Sequence, residues 1–141
     1  MDNRPIGIMD SGVGCLTVAC VLKEKYPNEK FIFIGDTARN PYGNKSPEEV
    51  TFFAEEMKAC LAGKQVKMII AACNTITFSV PPSFFAGKIP VIGMSLDFPE
   101  LESVSHLAVI GTPMTIRSHR HRGRLKKDFP LMNVTEIPID G

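Results

Sequence analysis

The sequence lacks three features that would each point to a class of protein. It has no apolar run near the ~20 residues that a membrane span needs, and its start, MDNRPIGIMD, is unlike a signal peptide. Its net charge is only +1 at pH 7, so no strong field favours nucleic acid or a membrane surface as a partner. We therefore expect a cytoplasmic protein that binds neither nucleic acid nor membranes.

A metal-binding pattern is also missing. The four cysteines, at positions 15, 20, 60 and 73, show none of the pair spacings of zinc sites, and a chain without an export signal keeps its thiols reduced. His119 and His121 stand in a basic run with no carboxylate or thiol beside them in the sequence. The sequence therefore predicts no metal site.

What the sequence does contain is an alternation of strand-like and helix-like stretches. Hydrophobic residues make up 44% of the chain and charged residues 22%, which is ordinary globular composition. Strands are predicted in PIGIM, KFIFIG, VKMIIAA, IPVIG and HLAVIG. Such alternation is typical of a parallel sheet flanked by helices. The predicted fold class is α/β, with a flavodoxin-like three-layer domain.

The helices are predicted from periodicity and from their end signals. The stretches are CLTVACVLKEKY, SPEEVTFFAEEMKACLAGK and approximately residues 75–85. In the second of them Ser46 can cap the first amides, Pro47 suits the first helical position and Gly63 can end the helix. Cys60 falls on its apolar face and Cys20 on the inner side of the first helix, so we expect both cysteines to be buried.

A second, similar unit is predicted to begin near residue 100. PIGIMDSGVGCLTV and HLAVIGTPMTIRS both run from a strand through a loop of small residues into a helix, and DFPELESVS between them suggests a linker helix. We expect an N-terminal α/β domain over residues 1–99 and the truncated start of a second α/β domain over residues 100–141.

Unusual polar residues follow three of the predicted strands. Asp10 and Ser11 end the first strand, Asp36 and a loop to Tyr42-Gly43 follow the second, and Cys73-Asn74-Thr75 follows the third. Because ligands of such sheets bind at the carboxyl ends of the strands, these residues are expected to share one cleft. Two plainer interpretations stay open, with Cys73 as a small core residue and Asp10 as a helix cap.

Three of these stretches resemble the glutamate racemases. IGIMDSGVGCLTV, GDTARNPYG and AACNT occur in the order and spacing of that family, and the resemblance continues more loosely through IPVIGM and GTPMTIRS. Aspartate and hydantoin racemases share the fold and the Cys-Asn-Thr element, but the first two stretches point to the glutamate branch. The resemblance implies an isomerase that needs no cofactor and supplies D-glutamate for bacterial cell-wall peptidoglycan.

The resemblance also implies a role for each matching residue. Cys73 corresponds to one of the family's two catalytic thiols, and Asp10 would orient it or receive the substrate ammonium. The implied substrate-contacting positions are Asp10, Ser11, Tyr42, Gly43, Asn74 and Thr75. The substrate would be the small molecule glutamate, converted from L to D by proton transfer between two thiols. A homodimer is the only protein partner that the sequence suggests.

Two departures from the family pattern limit these implications. Cys15 replaces a glycine of the family. The second thiol belongs to a Cys-Thr-His element of the second domain, and that element does not occur within these 141 residues. We therefore expect one catalytic cysteine in this chain and negligible racemisation by the chain alone. Two other functions stay open: a non-catalytic module with a carboxylate-binding cleft, and an aspartate or hydantoin racemase.

Overall fold

The computed structural model describes residues 2–139, which form a parallel four-stranded sheet and a smaller two-stranded sheet. The strands are β1 (Ile6–Asp10), β2 (Phe31–Gly35), β3 (Met68–Ala71), β4 (Val91–Ile92), β5 (His106–Gly111) and β6 (Asn133–Pro138). The α-helices are α1 (Cys15–Lys25), α2 (Pro47–Gly63), α3 (Asn74–Ser79), α4 (Pro113–Arg117) and α5 (Arg120–Asp128). Short 3-10 turns occupy Tyr42–Asn44 and Pro82–Phe85.

The larger sheet has the strand order β2-β1-β3-β4, with all pairs parallel. Its side chains form two cores. Ile6 and Ile8 of β1 pack with α1 on one face, while Met9 packs with α2 and α3 on the other. A parallel sheet covered by helices on both faces is the arrangement that near-continuous apolar strands require. The predicted three-layer α/β fold is therefore confirmed.

Helix α2 begins as the sequence predicted. The Ser46 hydroxyl accepts a hydrogen bond from the Glu49 amide, the Glu49 carboxylate accepts one from the Ser46 amide, and Pro47 occupies the first turn. This reciprocal pair satisfies two amides that a helix start would leave unpaired. The helix then presents Val50, Ala54 and Met57 to the core and ends at Gly63.

The smaller sheet pairs β5 with β6 in parallel, and α4 and α5 connect the two strands. The strand–loop–helix echo predicted at GTPMTIRS is present, because β5 leads through Thr112 into α4 and the Thr112 hydroxyl accepts a hydrogen bond from the Thr115 amide. Residues 93–105, which join the two sheets, contain no helix, so the predicted linker helix in DFPELESVS is wrong. The proposed domain boundary at residue 99 stays a prediction.

Two further predictions need correction. The helix expected over residues 75–85 ends at Ser79, because Pro81 and Pro82 follow, and a residue before proline avoids helical geometry. Cys60 and Cys20 are exposed rather than buried. The buried stripe of α2 runs through Met57 and Leu61, and Cys60 falls beside it, just as Cys20 falls beside the buried Ala19 of α1.

Replacing Ser46 with alanine should destabilise the fold, because the Glu49 amide would lose its hydrogen-bond acceptor. We expect the free energy of unfolding to fall by about 1 kcal/mol, measured by urea denaturation. Ser103→Ala, at an exposed turn position, is the matched control. Equal stability of the two variants would show that the capping box contributes nothing here.

Candidate functional site

The carboxyl ends of β1, β2 and β3 lie side by side at one edge of the larger sheet. The Asp36 amide donates to the Asp10 carbonyl at 3.0 Å, and the Ala72 amide donates to the Met9 carbonyl at 2.9 Å. These backbone bonds align the three strand ends, so the structure brings together the polar residues that follow them. Gly35 makes this possible at the end of β2, because a side chain there would overlap the Gly12 carbonyl oxygen.

Cys73 lies at the centre of this edge. It is 7% exposed, and its sulfur is 3.3 Å from the Ser11 hydroxyl oxygen, with either atom able to donate. Cys73 is also the residue that precedes the first turn of α3. The thiol therefore has a hydroxyl as its polar neighbour, where the sequence had suggested a carboxylate.

Asp10 is buried beneath the start of α1. Its Oδ2 accepts a hydrogen bond of 3.2 Å from the Cys15 amide, so the carboxylate stabilises the positive end of that helix. Within residues 2–139 its Oδ1 accepts no hydrogen bond and can receive a ligand donor. Asp10 thus has the capping function that the sequence left as an alternative, together with one free oxygen.

Cys15 is buried directly beside Asp10, and its environment disfavours the thiolate. Burial is the main cause that raises the pKa of the Cys15 thiol, and the negative charge of Asp10 raises it further. A cysteine with a raised pKa is a poor nucleophile and a poor base at neutral pH. Cys15 therefore acts as a core residue.

Tyr42 is held away from solvent by its own hydrogen bond. Its hydroxyl donates to Asp36 Oδ2, and its side chain is 1% exposed. Burial, and then the bond to Asp36, raise the pKa of this phenol well above its ordinary value. The Tyr42 hydroxyl is therefore already used by Asp36, which leaves the backbone of the Tyr42-Gly43 segment for a ligand, and the substrate contact of this segment stays a prediction.

Thr112, which follows β5, contributes to the same edge, and the sequence analysis did not foresee this. The hydroxyl oxygens of Thr75 and Thr112 are 3.3 Å apart, and Thr112 in turn donates to the Thr115 hydroxyl at 3.1 Å. Thr112 also fills the space beside Gly43, where any side chain would overlap it. The signal for Thr112 was its place after a strand, equivalent to that of Ser11 in the first unit. Asn74, unlike Thr75, is exposed.

The described residues, 2–139, contain no cluster of three histidine, cysteine or carboxylate side chains that could hold a metal ion. In the same residues no helix is both long and apolar enough to cross a membrane. The chemical groups at the edge are thus a thiol, hydroxyls, an amide and one carboxylate oxygen.

Comparison with known proteins adds relatives of known activity. No protein-family model matches the chain. The chain is 42% identical over 142 aligned positions to the glutamate racemase of Streptococcus thermophilus and 40% identical to that of Streptococcus mutans. Each alignment covers 97% of this chain, but only 52% and 54% of the respective relative.

Solved structures give the same result. A glutamate racemase from Francisella tularensis in complex with D-glutamate superposes with a TM-score of 0.80 at 39% identity, and one from Aquifex pyrophilus with 0.81 at 30%. These superpositions cover 98% and 96% of this chain, and 54% and 56% of the solved chains. The resemblance seen in the sequence is confirmed and extends to the fold, over about half the length of these relatives.

The environment of Tyr42 predicts how the protein responds to alkali. Because its folded pKa is raised, the neutral phenol stabilises the fold below the unfolded pKa of about 10, and this stabilisation is lost as pH rises further. The chain has two tyrosines and no tryptophan, so Tyr26→Phe leaves Tyr42 as the only phenol. Its phenolate absorbance should stay low at about pH 10 and rise only as the chain unfolds, monitored by circular dichroism. Ionisation near that pH in the folded variant would contradict the assignment.

Proposed function

We propose that this chain, a relative of the glutamate racemases in sequence and fold, provides one half of the catalytic site of a cofactor-independent glutamate racemase. The observation that carries the proposal is the Cys73 thiol, which lies at the carboxyl edge of the sheet against the Ser11 hydroxyl. A thiol used only for packing has no need of a hydroxyl partner at a strand end where free polar groups gather.

The chemistry of racemisation explains why a thiol suits this position. The reaction breaks the Cα–H bond of glutamate on one face and forms a new one on the other, so it needs two acid/base groups on opposite sides of the substrate. A thiolate at Cys73 takes the α-proton, and the bonding electrons pass into the carboxylate of the substrate. A second acid then returns a proton to the opposite face of Cα. That second group comes from outside the edge described here.

The remaining polar groups of the edge can hold the substrate. The free Oδ1 of Asp10 is an acceptor for the substrate ammonium, and the exposed Asn74 side chain and the Ser11 hydroxyl offer donors to a carboxylate. Thr75 presents a hydroxyl already paired with Thr112. The Tyr42-Gly43 segment contributes through its backbone. Hydrogen bonds to the substrate carboxylate stabilise the negative charge that develops as the proton leaves.

The cellular role follows from the reaction. A racemase of this type supplies D-glutamate for peptidoglycan synthesis in the cytoplasm and so supports cell-wall biogenesis and cell shape. We include self-association in the proposal, because apolar side chains such as Leu16 and Phe33 are exposed on α1 and on the edge strand β2.

Glutamate should bind at the edge of the larger sheet. In an NMR titration with L- or D-glutamate, we expect amide resonances of Ser11, Gly43, Asn74 and Thr75 to shift. Resonances of Gly63 and Gly87, which lie outside the site, are the internal control. Shifts confined to residues away from the edge would refute the placement. Shifts at the edge without the proton exchange described next would favour the non-catalytic carboxylate-binding module.

Cys73 should exchange the α-proton of one glutamate enantiomer. With each enantiomer in deuterated buffer, we expect solvent deuterium to enter one of them, detected by NMR after chiral chromatography. Cys73→Ala should lower this rate by about 10²–10⁴-fold, the usual loss of an acid/base group. Cys60→Ala, which removes an exposed thiol of α2, should leave it unchanged. Exchange that survives in Cys73→Ala would show that another group is the base.

A further inference from the structure

The loop between β2 and α2 is held by a charged network that the proposed chemistry does not use. Its centre is Asp36, which is buried at the end of β2 and tied by its amide to the Asp10 carbonyl. Asp36 Oδ2 accepts two hydrogen bonds, one from Arg39 Nε and one from the Tyr42 hydroxyl. One carboxylate oxygen thus ties two positions within this loop, Arg39 and Tyr42, to the end of β2.

Arg39 connects the same carboxylate to α2. Its second arm donates to Glu56, and its guanidinium lies 4.1 Å from the centre of the Phe53 ring. Phe53 packs against the Tyr42 ring at 5.5 Å between centroids. The ion pair with Glu56 is exposed and contributes little to stability by itself. The ion pair with Asp36, in contrast, neutralises a carboxylate that is almost fully buried. Such a carboxylate is costly to leave without its counter-ion.

The position of Tyr42 fixes the residue that follows it. Gly43 packs so closely on Thr112 that no side chain fits between them, and Thr112 contacts Thr75 beside Cys73. A continuous series of contacts therefore leads from Arg39 through Asp36 and Tyr42 to the edge that carries the thiol. Small displacements at one end of such a series change the geometry at the other, because packed contacts leave no slack.

We propose that Asp36 and Arg39 are positioning residues, which hold the Tyr42-Gly43 backbone at the distance from the Cys73 edge that glutamate requires. They act through Tyr42 and do not touch the substrate. The identity of the ligand rests on the proposed function, but the effect on the backbone of Gly43 does not. In this proposal Tyr42 connects Asp36 to Gly43, and its hydroxyl bonds Asp36 and not the ligand.

Arg39→Met tests the proposal, with Arg4→Met as the matched control. Arg4 forms an ion pair with Asp2 that is exposed and remote from the site, so the control removes the same side chain without disturbing the edge. In ligand-free spectra we expect the amide resonances of Gly43 and Thr112 to move in Arg39→Met and to stay in place in Arg4→Met. Unmoved resonances in both variants would overturn the proposal.

The second readout is the affinity for glutamate in the same samples. Arg39→Met should weaken binding by about tenfold, the equivalent of one charge-assisted hydrogen bond, and Arg39→Lys should restore part of it, because lysine keeps the charge but not the planar fork. Wild-type affinity in a folded Arg39→Met variant would also overturn the proposal. If the wild-type chain binds no glutamate, the proposed function has failed, while the ligand-free spectra still decide the positioning role.

If Arg39→Met does not fold, a double variant still tests the proposal. Asp36→Asn/Arg39→Met removes both charges, so no unpaired carboxylate remains in the core. Its Gly43 and Thr112 resonances are expected to move as they do in Arg39→Met. If they match those of the wild-type chain, the charged pair has no positioning role.

Discussion

Strand β1 is buried at all five of its residues and pairs in parallel with both β2 and β3. Parallel pairing makes the three strands end at the same edge, so the first residues of three different loops must meet there. Those residues are polar, and their side chains bond one another or the first amide of the next helix, as Asp10 does with Cys15. The site is therefore a consequence of the sheet: the register of β1 determines which side chains become neighbours of the Cys73 thiol.

Most of the polar groups that gather at this edge are used to hold the loops themselves. Asp36 binds Arg39 and Tyr42, Asp10 binds the start of α1, and Thr75 pairs with Thr112. A polar group that is already hydrogen-bonded in the ligand-free protein is rigid, but it has fewer hydrogen bonds to offer a ligand. A group without a partner can bond the ligand, but it must become ordered on binding. The edge combines both kinds, because the Asn74 side chain and the second oxygen of Asp10 have no hydrogen-bond partner within residues 2–139.

Local signals in the sequence were sufficient for five of the six strands, for the start of α2 and for the strand ends that meet at the edge, whereas β6 was not among the predicted stretches. Ser46 and Pro47 predicted a helix start because a cap depends on a few neighbouring residues. Burial was harder to predict. Cys60 lies one position from the buried Leu61, and the elements that pack against α2 decide which of two neighbouring residues is buried. The early end of α3 had a local signal, the pair Pro81-Pro82. The prediction followed the helical period instead and extended the helix past these prolines. The only signal for Thr112 was its place after a strand, and its contact with Thr75 could not be predicted, because that contact joins positions 37 residues apart.

The contact between Thr75 and Thr112 has a consequence for how the site is built. It joins the end of β3 to the end of β5, so equivalent strand ends of the two sheets face each other across the edge. A substrate that must be approached from two opposite faces is best enclosed by two such units, each supplying one acid/base group from its own strand end. In the proposed reaction the larger sheet supplies Cys73. The start of α4, with Thr112 and Thr115, brings the smaller sheet against it, and Gly43 lets the loop after β2 close the remaining side. The proposed two-base chemistry therefore needs two strand ends that meet, and the repeat of strand, loop and helix provides them.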